Sequence, residues 1–243
     1  LAAGVNLMLH PCTSAGLAAA GMLSLSGRSH TFDARADGFA RGEGCVALAL
    51  RCAPGNVLLR GSATRQDGRS ASLTAPNGQA QQRLLRFAHE ESAVSAAELT
   101  LNEGHGTGTA LGDPIEMGAV TAVYVDYTGA KRSDDAHHHA AAARPLAIAA
   151  IKSSVGHTEA GAGVVGLAHT QAMLSAGAAS PLTQLRTLSP HLVSMMFAAA
   201  RAHGTSRREV LMPRSATPSQ LSCDAGSSTS PMAGVSSFAF QGT

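Results

Sequence analysis

The chain has 243 residues, of which 44% are hydrophobic but only 3% aromatic, with 26 glycines and no tryptophan. Its 18 basic and 16 acidic residues leave a formal charge of +2, which argues against a strongly electrostatic nucleic-acid surface. No apolar run reaches the roughly 18 residues of a membrane span, so the composition indicates a soluble protein of one or two domains.

Apolar, strand-like runs alternate with helix-like segments along the chain. The residue pattern predicts strands over 1–9, 44–51, 56–62, 98–103, 146–151 and 232–240, and helices over 79–93, 113–125 and 160–175. The polar stretches 128–145 and 213–231 are expected to be surface loops. Strands and helices that alternate at this spacing indicate a layered α/β fold.

The first candidate functional residue is His105, in the small-residue sequence EGHGTGTALGDPIE that follows the predicted strand 98–103. Small residues let a backbone turn sharply and let a ligand approach closely. Asp113 and Glu116 fit the start of a helix, with Asp113 as N-cap and Glu116 closing a capping box. Taken alone, His105 could equally be a turn histidine held by a backbone partner.

A second histidine, His157, follows the predicted strand 146–151 within the sequence KSSVGHTEAGAG. In an α/β sheet ligands bind at the carboxyl ends of the strands, so neighbouring turns of this kind would direct both imidazoles into one pocket. Lys152 leaves the end of the same strand in a segment poor in other charges, and it needs a carboxylate partner. Glu116 is the candidate for that ion pair.

The sequence GAGVVG, with Gly161, Gly163 and Gly166, formally matches the dinucleotide-binding pattern GxGxxG and makes an NAD-dependent oxidoreductase the distant alternative. Its first glycine lies about ten residues beyond the strand end, where the fingerprint needs a tight turn. No Asp or Glu between Glu159 and Glu209 is available to hold a ribose. Close packing of a buried helix against the sheet is the preferred explanation.

Three adjacent histidines, His137 to His139, lie beside Asp134 and Asp135 and could hold a metal ion. Adjacent residues do not converge easily on one ion, so a solvated loop is preferred and no metal site is expected. The sequence also contains no GxSxG elbow and no P-loop lysine motif.

The two histidine motifs resemble those of the β-ketoacyl synthase (ketosynthase) domains of polyketide and fatty acid synthases. EGHGTGTALGDPIEMGAV is similar to the first histidine motif of that family, and IKSSVGHTEAGAGVVGLAH to its lysine and second histidine motif. The segments GVNLML, FDARADGFARGEGC and DGRSASLTAPNGQAQ match further parts of the family. This similarity covers the chain from its first residue to about 175 and resumes at 233–243.

The resemblance implies the thiolase fold, an α/β architecture of two similar halves layered α-β-α-β-α, each with a five-stranded sheet. Residues 1–55 would then form the end of the first, N-terminal half. Residues 56–243 would form most of the second, C-terminal half.

Members of the family carry out a decarboxylative Claisen condensation, which joins an acyl chain on an active-site cysteine to a malonyl unit. The resemblance implies that His105 and His157 donate their ring N–H groups to the enolate oxyanion that the loss of carbon dioxide leaves. It also implies that Lys152 belongs to this site, with Glu116 as its carboxylate partner.

Substrate-binding residues are implied in the same way. Thr107 and Thr109 match the threonines that contact the pantetheine arm. Phe240 falls in AFQGT, which is similar to the gating sequence GFGGTN of the family but has Ala239 and Gln241 in place of glycines.

The malonyl unit is expected on the phosphopantetheine of an acyl carrier protein, so the resemblance implies no cofactor bound by the chain itself. The implied partners are the carrier protein, other modules of a multidomain synthase, and a second copy in the homodimer of the full domain. Neither nucleic acid nor a membrane is among them. The expected location is the cytoplasm or an organelle such as the plastid, and four cysteines without a CxxC pair fit a reducing compartment.

The nucleophile is the main departure from the family. The family's cysteine lies farther upstream of the first histidine motif than the 104 residues that precede His105 allow. None of Cys12, Cys45, Cys52 and Cys223 has its small-residue and serine context, so all four are expected to be structural or incidental. We therefore expect a truncated ketosynthase that cannot elongate alone, with a non-elongating acyl-binding or acyl-transfer domain as the alternative.

Overall fold

The computed structural model describes residues 1–68, 75–125, 144–203, 208–214, 219–221 and 231–238, and its elements form an α/β fold. The strands are Ala2–Asn6 (β1), Gly44–Leu48 (β2), Leu99–Glu103 (β3), Leu146–Ala149 (β4), Ala178–Ala179 (β5), Val210–Leu211 (β6), Ser219–Gln220 (β7) and Met232–Val235 (β8). The α-helices are Pro11–Ala19 (α1), Gly78–Ser92 (α2), Gly112–Val120 (α3), Lys152–Val155 (α4), Ala162–Ala176 (α5) and Pro190–His203 (α6).

Four parallel strands form the sheet that carries both histidine motifs, in the order β6-β4-β3-β8. β3 pairs with β4 through Leu101 and Ala147 and ends at the pair of Glu103 with Ala149. Because the strands are parallel, the turns after β3 and β4 leave the same edge of the sheet side by side. Two short antiparallel pairs, β1 with β2 and β5 with β7, complete the described strands.

The two central strands are buried on both faces, so their alternate residues face different cores. Leu146 and Ile148 of β4 pack in a core that includes Met117 of α3. Ala147 of β4 packs instead with Met173 of α5. The sheet is thus a middle layer, with α3 on one face and α5 on the other.

The helix α5 contacts the sheet at one of the GAGVVG glycines. A Cβ atom added at Gly166 would lie 3.5 Å from both Glu103 and Val235. The first glycine of the pattern, Gly161, belongs to a short 3₁₀ turn before α5 and not to a tight turn at a strand end. The glycines thus lie in and just before a helix that contacts the sheet, a context that does not fit a dinucleotide fingerprint.

Most predicted elements are present with shifted bounds. The helix predicted over 113–125 is α3 followed by a π-helical turn, Thr121–Val125, and the helix predicted over 160–175 is α5. The prediction of a strand over 56–62 is wrong, because these residues are almost all exposed and join no sheet. The helix α1 was not predicted, because its apolar residues do not gather on one face, and the structure buries none of them.

The two predicted loops are only partly described. Of 128–145, only residues 144 and 145 lie within the described residues. In 213–231 the described part includes β7, which pairs with β5, so this stretch is not wholly a loop. Within the described parts of the chain, no helix is both long enough and apolar enough to cross a membrane.

Candidate active site

The loop after β3 is held by the carboxylate of Glu116, which is buried in α3. One oxygen, Oε1, accepts the backbone N–H of His105 at 2.6 Å, and Oε2 accepts that of Gly106 at 2.8 Å. The predicted capping box is wrong, because α3 begins at Gly112 after Leu111, which makes no side-chain cap. Glu116 instead reaches back to the loop and fixes the main chain on which His105 is carried.

A second buried carboxylate, Asp113, anchors the other end of the same loop. Its Oδ1 accepts the backbone N–H of Gly108 at 3.0 Å and of Thr109 at 3.3 Å, while Oδ2 accepts that of Phe32 at 2.7 Å. Burial raises the pKa of Asp113 to about 7, although these hydrogen bonds act in the opposite direction. Asp113 is therefore not the N-cap that the sequence predicts. Its carboxylate instead joins the loop to the segment around Phe32 by hydrogen bonds.

Small residues surround His105 because the loop is crowded by backbone and side chains. Gly106 and Gly108 have positive φ angles of +46° and +80°. A Cβ at Gly106 would lie 2.7 Å from the side chains of Ala150 and Thr31, and one at Gly108 would lie 2.7 Å from the backbone nitrogen of His30. Only glycine meets both the conformation and the space available.

The turn that carries His157 is held by a segment far away in the sequence. The N–H of His157 donates to the carbonyl of Ala40 at 2.7 Å, and the N–H of Gly42 donates to the carbonyl of His157 at 2.9 Å. The guanidinium of Arg41 pairs with Glu159 at 2.5 Å. The sequence FDARADGFARGEGC thus supplies the support for the second histidine motif.

The structure brings the two imidazoles together. The ring centroids of His105 and His157 are 5.4 Å apart, and the rings meet edge to face at 85°. Phe238, after β8, lies against His105 with centroids 5.6 Å apart, and Phe39 lies against His157 at 5.1 Å. Two parallel strand ends therefore place both histidines in one site lined by aromatic rings.

Each imidazole accepts a backbone hydrogen bond at Nδ1. The N–H of Phe238 donates to Nδ1 of His105 at 3.2 Å, and the N–H of Glu159 donates to Nδ1 of His157 at 2.9 Å. A ring nitrogen that accepts a hydrogen bond carries no proton, so a neutral ring carries its proton on Nε2. Both histidines are thus fixed as Nε2–H donors.

The surroundings keep both rings neutral. Burial lowers the pKa of His105 well below its usual value, and the charge of Lys152 and then that of His157 lower it further. Burial, followed by the charge of Lys152, lowers the pKa of His157 to about 4. Near neutral pH each ring has one N–H and no charge.

Lys152, the first residue of α4, is buried, and its charge acts on both histidines. The predicted ion pair with Glu116 is wrong: none of the salt bridges between described residues includes Lys152, and both oxygens of Glu116 bind backbone N–H groups. Burial lowers the pKa of Lys152, while the carboxylates of Glu116, Glu103 and Asp113 raise it through space. These carboxylates favour the charged lysine from a distance, but burial outweighs them.

Thr107 and Thr109 lie on the His105 loop, with their hydroxyl oxygens 3.4 Å apart. The hydroxyl of Thr109 also accepts the backbone N–H of Gly112 at 3.0 Å, so this threonine supports the start of α3. Phe240 lies outside the described residues. The aromatic residue that the structure places against His105 is Phe238, two positions earlier.

Several site residues were missed from sequence. Phe238 is separated from His105 by 133 positions, and no local pattern connects the two. Phe39 lies within a segment that matches the family, but nothing in that match points to His157. The N–H of Glu159 that binds His157, and the positive φ of Glu159 (+42°), have no sequence signal at all.

The described residues offer no metal centre, since no three histidine, cysteine or carboxylate side chains come together among them. Cys12, Cys45 and Cys52 are exposed free thiols. Cys223 and the histidine run 137–139 lie outside the described residues.

Comparison with known proteins gives two family matches. The family described as "Beta-ketoacyl synthase, C-terminal domain" matches residues 57–186, and "Beta-ketoacyl synthase, N-terminal domain" matches residues 1–53. Among curated relatives, one component of the phenolphthiocerol/phthiocerol polyketide synthase of Mycobacterium tuberculosis is 40% identical over 79% of this chain and 8% of its own length. Erythronolide synthase EryA2 of Saccharopolyspora erythraea is 38% identical over 100% of this chain and 6% of its own length. The chain therefore spans a small part of these relatives.

Solved structures support the same fold. The oxazolomycin ketosynthase domain OzmH KS7 of Streptomyces albus superposes with a TM-score of 0.77 at 26% identity, covering 99% of this chain and 39% of that one. The ketosynthase from module 6 of the bacillaene synthase from Bacillus subtilis 168 gives 0.74 at 25% identity, with 99% and 40% covered. The thiolase-like fold expected from the sequence is confirmed.

The role of Glu116 in holding the loop can be tested by Glu116→Gln. A glutamine has one acceptor oxygen, so one buried N–H of His105 or Gly106 faces an NH₂ group and stays unpaired, at a cost of about 1–3 kcal/mol. We expect the free energy of unfolding, measured by denaturant titration, to fall by that amount. The matched control is Glu91→Gln on the exposed surface of α2, expected to change it by less than about 0.5 kcal/mol. Equal stability of the two variants would contradict the assignment.

Proposed function

The chain belongs to the β-ketoacyl synthase family, with a ketosynthase domain of polyketide synthase type, and from this premise we propose that it decarboxylates a malonyl thioester. The step is the carbon-nucleophile half of a decarboxylative Claisen condensation. The observation that carries the proposal is the pair of Nε2–H donors fixed on neutral His105 and His157. On the same premise, residues 1–55 end the first thiolase-like half and 56–243 form most of the second.

The chemistry of decarboxylation calls for donors of this kind. When carbon dioxide leaves a malonyl thioester, the electron pair moves onto the thioester oxygen and an enolate forms. Hydrogen-bond donors already in place for that oxyanion lower the barrier without rearranging during the reaction. Two neutral Nε2–H groups on His105 and His157 meet this need, and neither ring has to lose a proton first.

Lys152 supports the donors electrostatically. Its positive charge lowers the pKa of both His105 and His157, which keeps the rings neutral. A buried positive charge near the enolate also offsets the negative charge that develops there. Glu116 contributes by holding the main chain of His105, so its role is positional.

The malonyl unit arrives on the phosphopantetheine arm of an acyl carrier protein. Thr107 and Thr109, on the His105 loop, offer hydroxyl groups to the amides of that arm, and Phe240 gates the site. The carrier protein, neighbouring synthase modules and a second copy of the ketosynthase are the partners in this proposal. The chain itself binds no cofactor.

A basic cavity near the same loop fits the phosphate of the arm. The cavity has a volume of about 530 Å³ and is lined by Ser26, Arg28, His30, Arg35, Asp37, Gln184 and Arg186. Arg35 is paired with Asp33, but no hydrogen bond or ion pair joins the guanidinium of Arg28 or Arg186 to another described residue. Guanidinium groups bind phosphate through well-placed pairs of N–H donors.

Acylation is the part of the reaction that this chain is not expected to perform alone. Its described cysteines, Cys12, Cys45 and Cys52, are exposed, whereas the two histidines are buried. We expect the chain to form the enolate, which then takes a proton from water to give the acetyl thioester, without being joined to an acyl group.

Decarboxylation is tested by incubating the purified chain with a malonyl thioester and measuring carbon dioxide, acetyl thioester and 3-oxoacyl product. We expect acetyl thioester but no elongated product. His105→Ala and His157→Ala each remove one oxyanion donor and should lower kcat by about 10²–10³-fold. The control is His191→Ala, an exposed histidine of α6. Unchanged decarboxylation in the first two variants would refute the donor roles, and robust elongation would refute the missing acylation.

The basic cavity is tested with two substrates, a malonyl carrier protein and a short malonyl thioester that lacks the phosphate. Arg28→Glu and Arg186→Glu place a negative charge where the phosphate would bind. We expect KM for the carrier substrate to rise at least about tenfold, the equivalent of roughly 1.4 kcal/mol, while KM for the short thioester stays unchanged. Arg83→Glu, on the exposed face of α2, is the control. A rise in KM for both substrates, or for neither of them, would contradict phosphate binding at this cavity.

A further inference from the structure

Glu103, the last residue of β3, binds three neighbouring segments at the edge of the sheet. It is fully buried and lies two residues before His105. Its Oε1 accepts the backbone N–H of Ile151 at 2.7 Å, and its main-chain carbonyl accepts the N–H of Ser236 at 2.9 Å. Its Oε2 lies 2.9 Å from Nδ1 of His169 on α5.

These contacts continue the sheet beyond its last residue pair. The pairing of β3 with β4 ends at Glu103 and Ala149, and the N–H of Gly104 then donates to the carbonyl of Ala149 at 2.8 Å. The next N–H available on that side, that of Ile151, has no strand partner and is taken by the carboxylate of Glu103. Because Ile151 directly precedes Lys152, this bond links the two histidine turns.

The same residue acts on the third strand. Ser236, held by the carbonyl of Glu103, lies two positions before Phe238, whose N–H fixes the Nδ1 of His105. Glu103 therefore contacts the start of each segment that completes the site: the His105 loop, the turn with Lys152 and His157, and the segment after β8.

His169 orients the carboxylate of Glu103. A carboxylate only accepts hydrogen bonds, so Nδ1 of His169 donates to Glu103, and Nε2 lies 2.7 Å from the hydroxyl of Ser180. The order serine, histidine, carboxylate is that of an activated nucleophile. However, the group lies on the α5 face of the sheet, opposite the face that α3 covers, and the hydroxyl of half-buried Ser180 also lies 3.5 Å from the sulfur of Met173. The carboxylate end of the group binds the sheet edge at Ile151, so the geometry fits support of that edge better than attack on a substrate.

We propose that Glu103, oriented by His169, is a positioning residue for decarboxylation: it sets the separation between the His105 loop and the turn that carries Lys152 and His157. The proposal rests on the function proposed above. Its charge also raises the pKa of Lys152, together with the charge of Glu116, against the effect of burial. Glu103 touches no substrate and acts through the groups it holds.

The test compares Glu103→Ala, His169→Leu and His169→Gln by the kcat and KM of malonyl thioester decarboxylation. Glu103→Ala frees the Ile151 amide, and a displacement near 1 Å between the donors should lower kcat by about 100-fold with little change in KM. His169→Leu removes the donor that orients the carboxylate and should also lower kcat. His169→Gln keeps an N–H donor and should restore kcat to within about fivefold of the unchanged chain.

Ser180→Ala is the matched control, because it removes only the outer hydrogen bond of the group. We expect its kcat to stay within about fivefold of the starting value, the effect of one neutral hydrogen bond. If Glu103→Ala and His169→Leu lower the unfolding midpoint but leave the kcat of the folded protein unchanged, the residues are only structural and the proposal is overturned. A 100-fold loss in Ser180→Ala would also overturn it, in favour of a reactive serine.

An activity-independent measurement separates this proposal from the proposed function. The ¹⁵N and ¹H resonances of the His105 and His157 rings should shift in Glu103→Ala and His169→Leu but not in His169→Gln. If the unchanged chain does not decarboxylate, the proposed function fails, and these shifts still decide whether Glu103 positions the two rings. Ring resonances that do not move in Glu103→Ala would overturn the positioning role.

Discussion

A backbone N–H directed at Nδ1 of each imidazole is the constraint on which the site depends. It comes from Phe238 for His105 and from Glu159 for His157. With Nδ1 occupied and both rings neutral, the only proton each ring can offer is on Nε2. Much of the surrounding structure serves to bring these N–H groups to the rings: the parallel sheet, the segment that holds the His157 turn through Ala40 and Gly42, and the segment that follows β8.

Several buried charged groups surround the two histidines. Lys152 lowers the pKa of both histidines, and the carboxylates of Glu116, Glu103 and Asp113 raise the pKa of Lys152 against the effect of burial, without a direct ion pair to it. Each of these carboxylates also accepts backbone N–H groups from the turns of the site. Burial of a carboxylate is energetically costly. Each of these carboxylates has two roles: it favours the charged form of Lys152, and it holds the main chain of a turn by hydrogen bonds.

The sequence predicted those parts of the site that depend on the ends of strands. His105 and His157 each follow a buried strand, and parallel neighbours bring such residues together, so their meeting was foreseeable. The roles of Asp113 and Glu116 were not foreseeable. A sequence that is typical of a capped helix start can equally supply two carboxylates that bind the preceding loop. Contacts across more than a hundred positions, such as Phe238 with His105, leave no local pattern. The strand predicted over 56–62 failed because a short apolar run does not reveal whether any other strand is there to pair with it.

The central claim is that both histidines are neutral Nε2–H donors, and ¹⁵N NMR of the imidazole rings tests it most directly. In chain labelled at histidine, at pH 7, we expect His105 and His157 each to show a protonated Nε2 and an unprotonated Nδ1 that accepts a hydrogen bond. Both rings should keep this form when the pH is lowered to about 5, because the pKa of His157 is about 4 and that of His105 is also well below the usual value. A proton on Nδ1 of either ring, or a positively charged imidazolium at pH 7, would contradict the account.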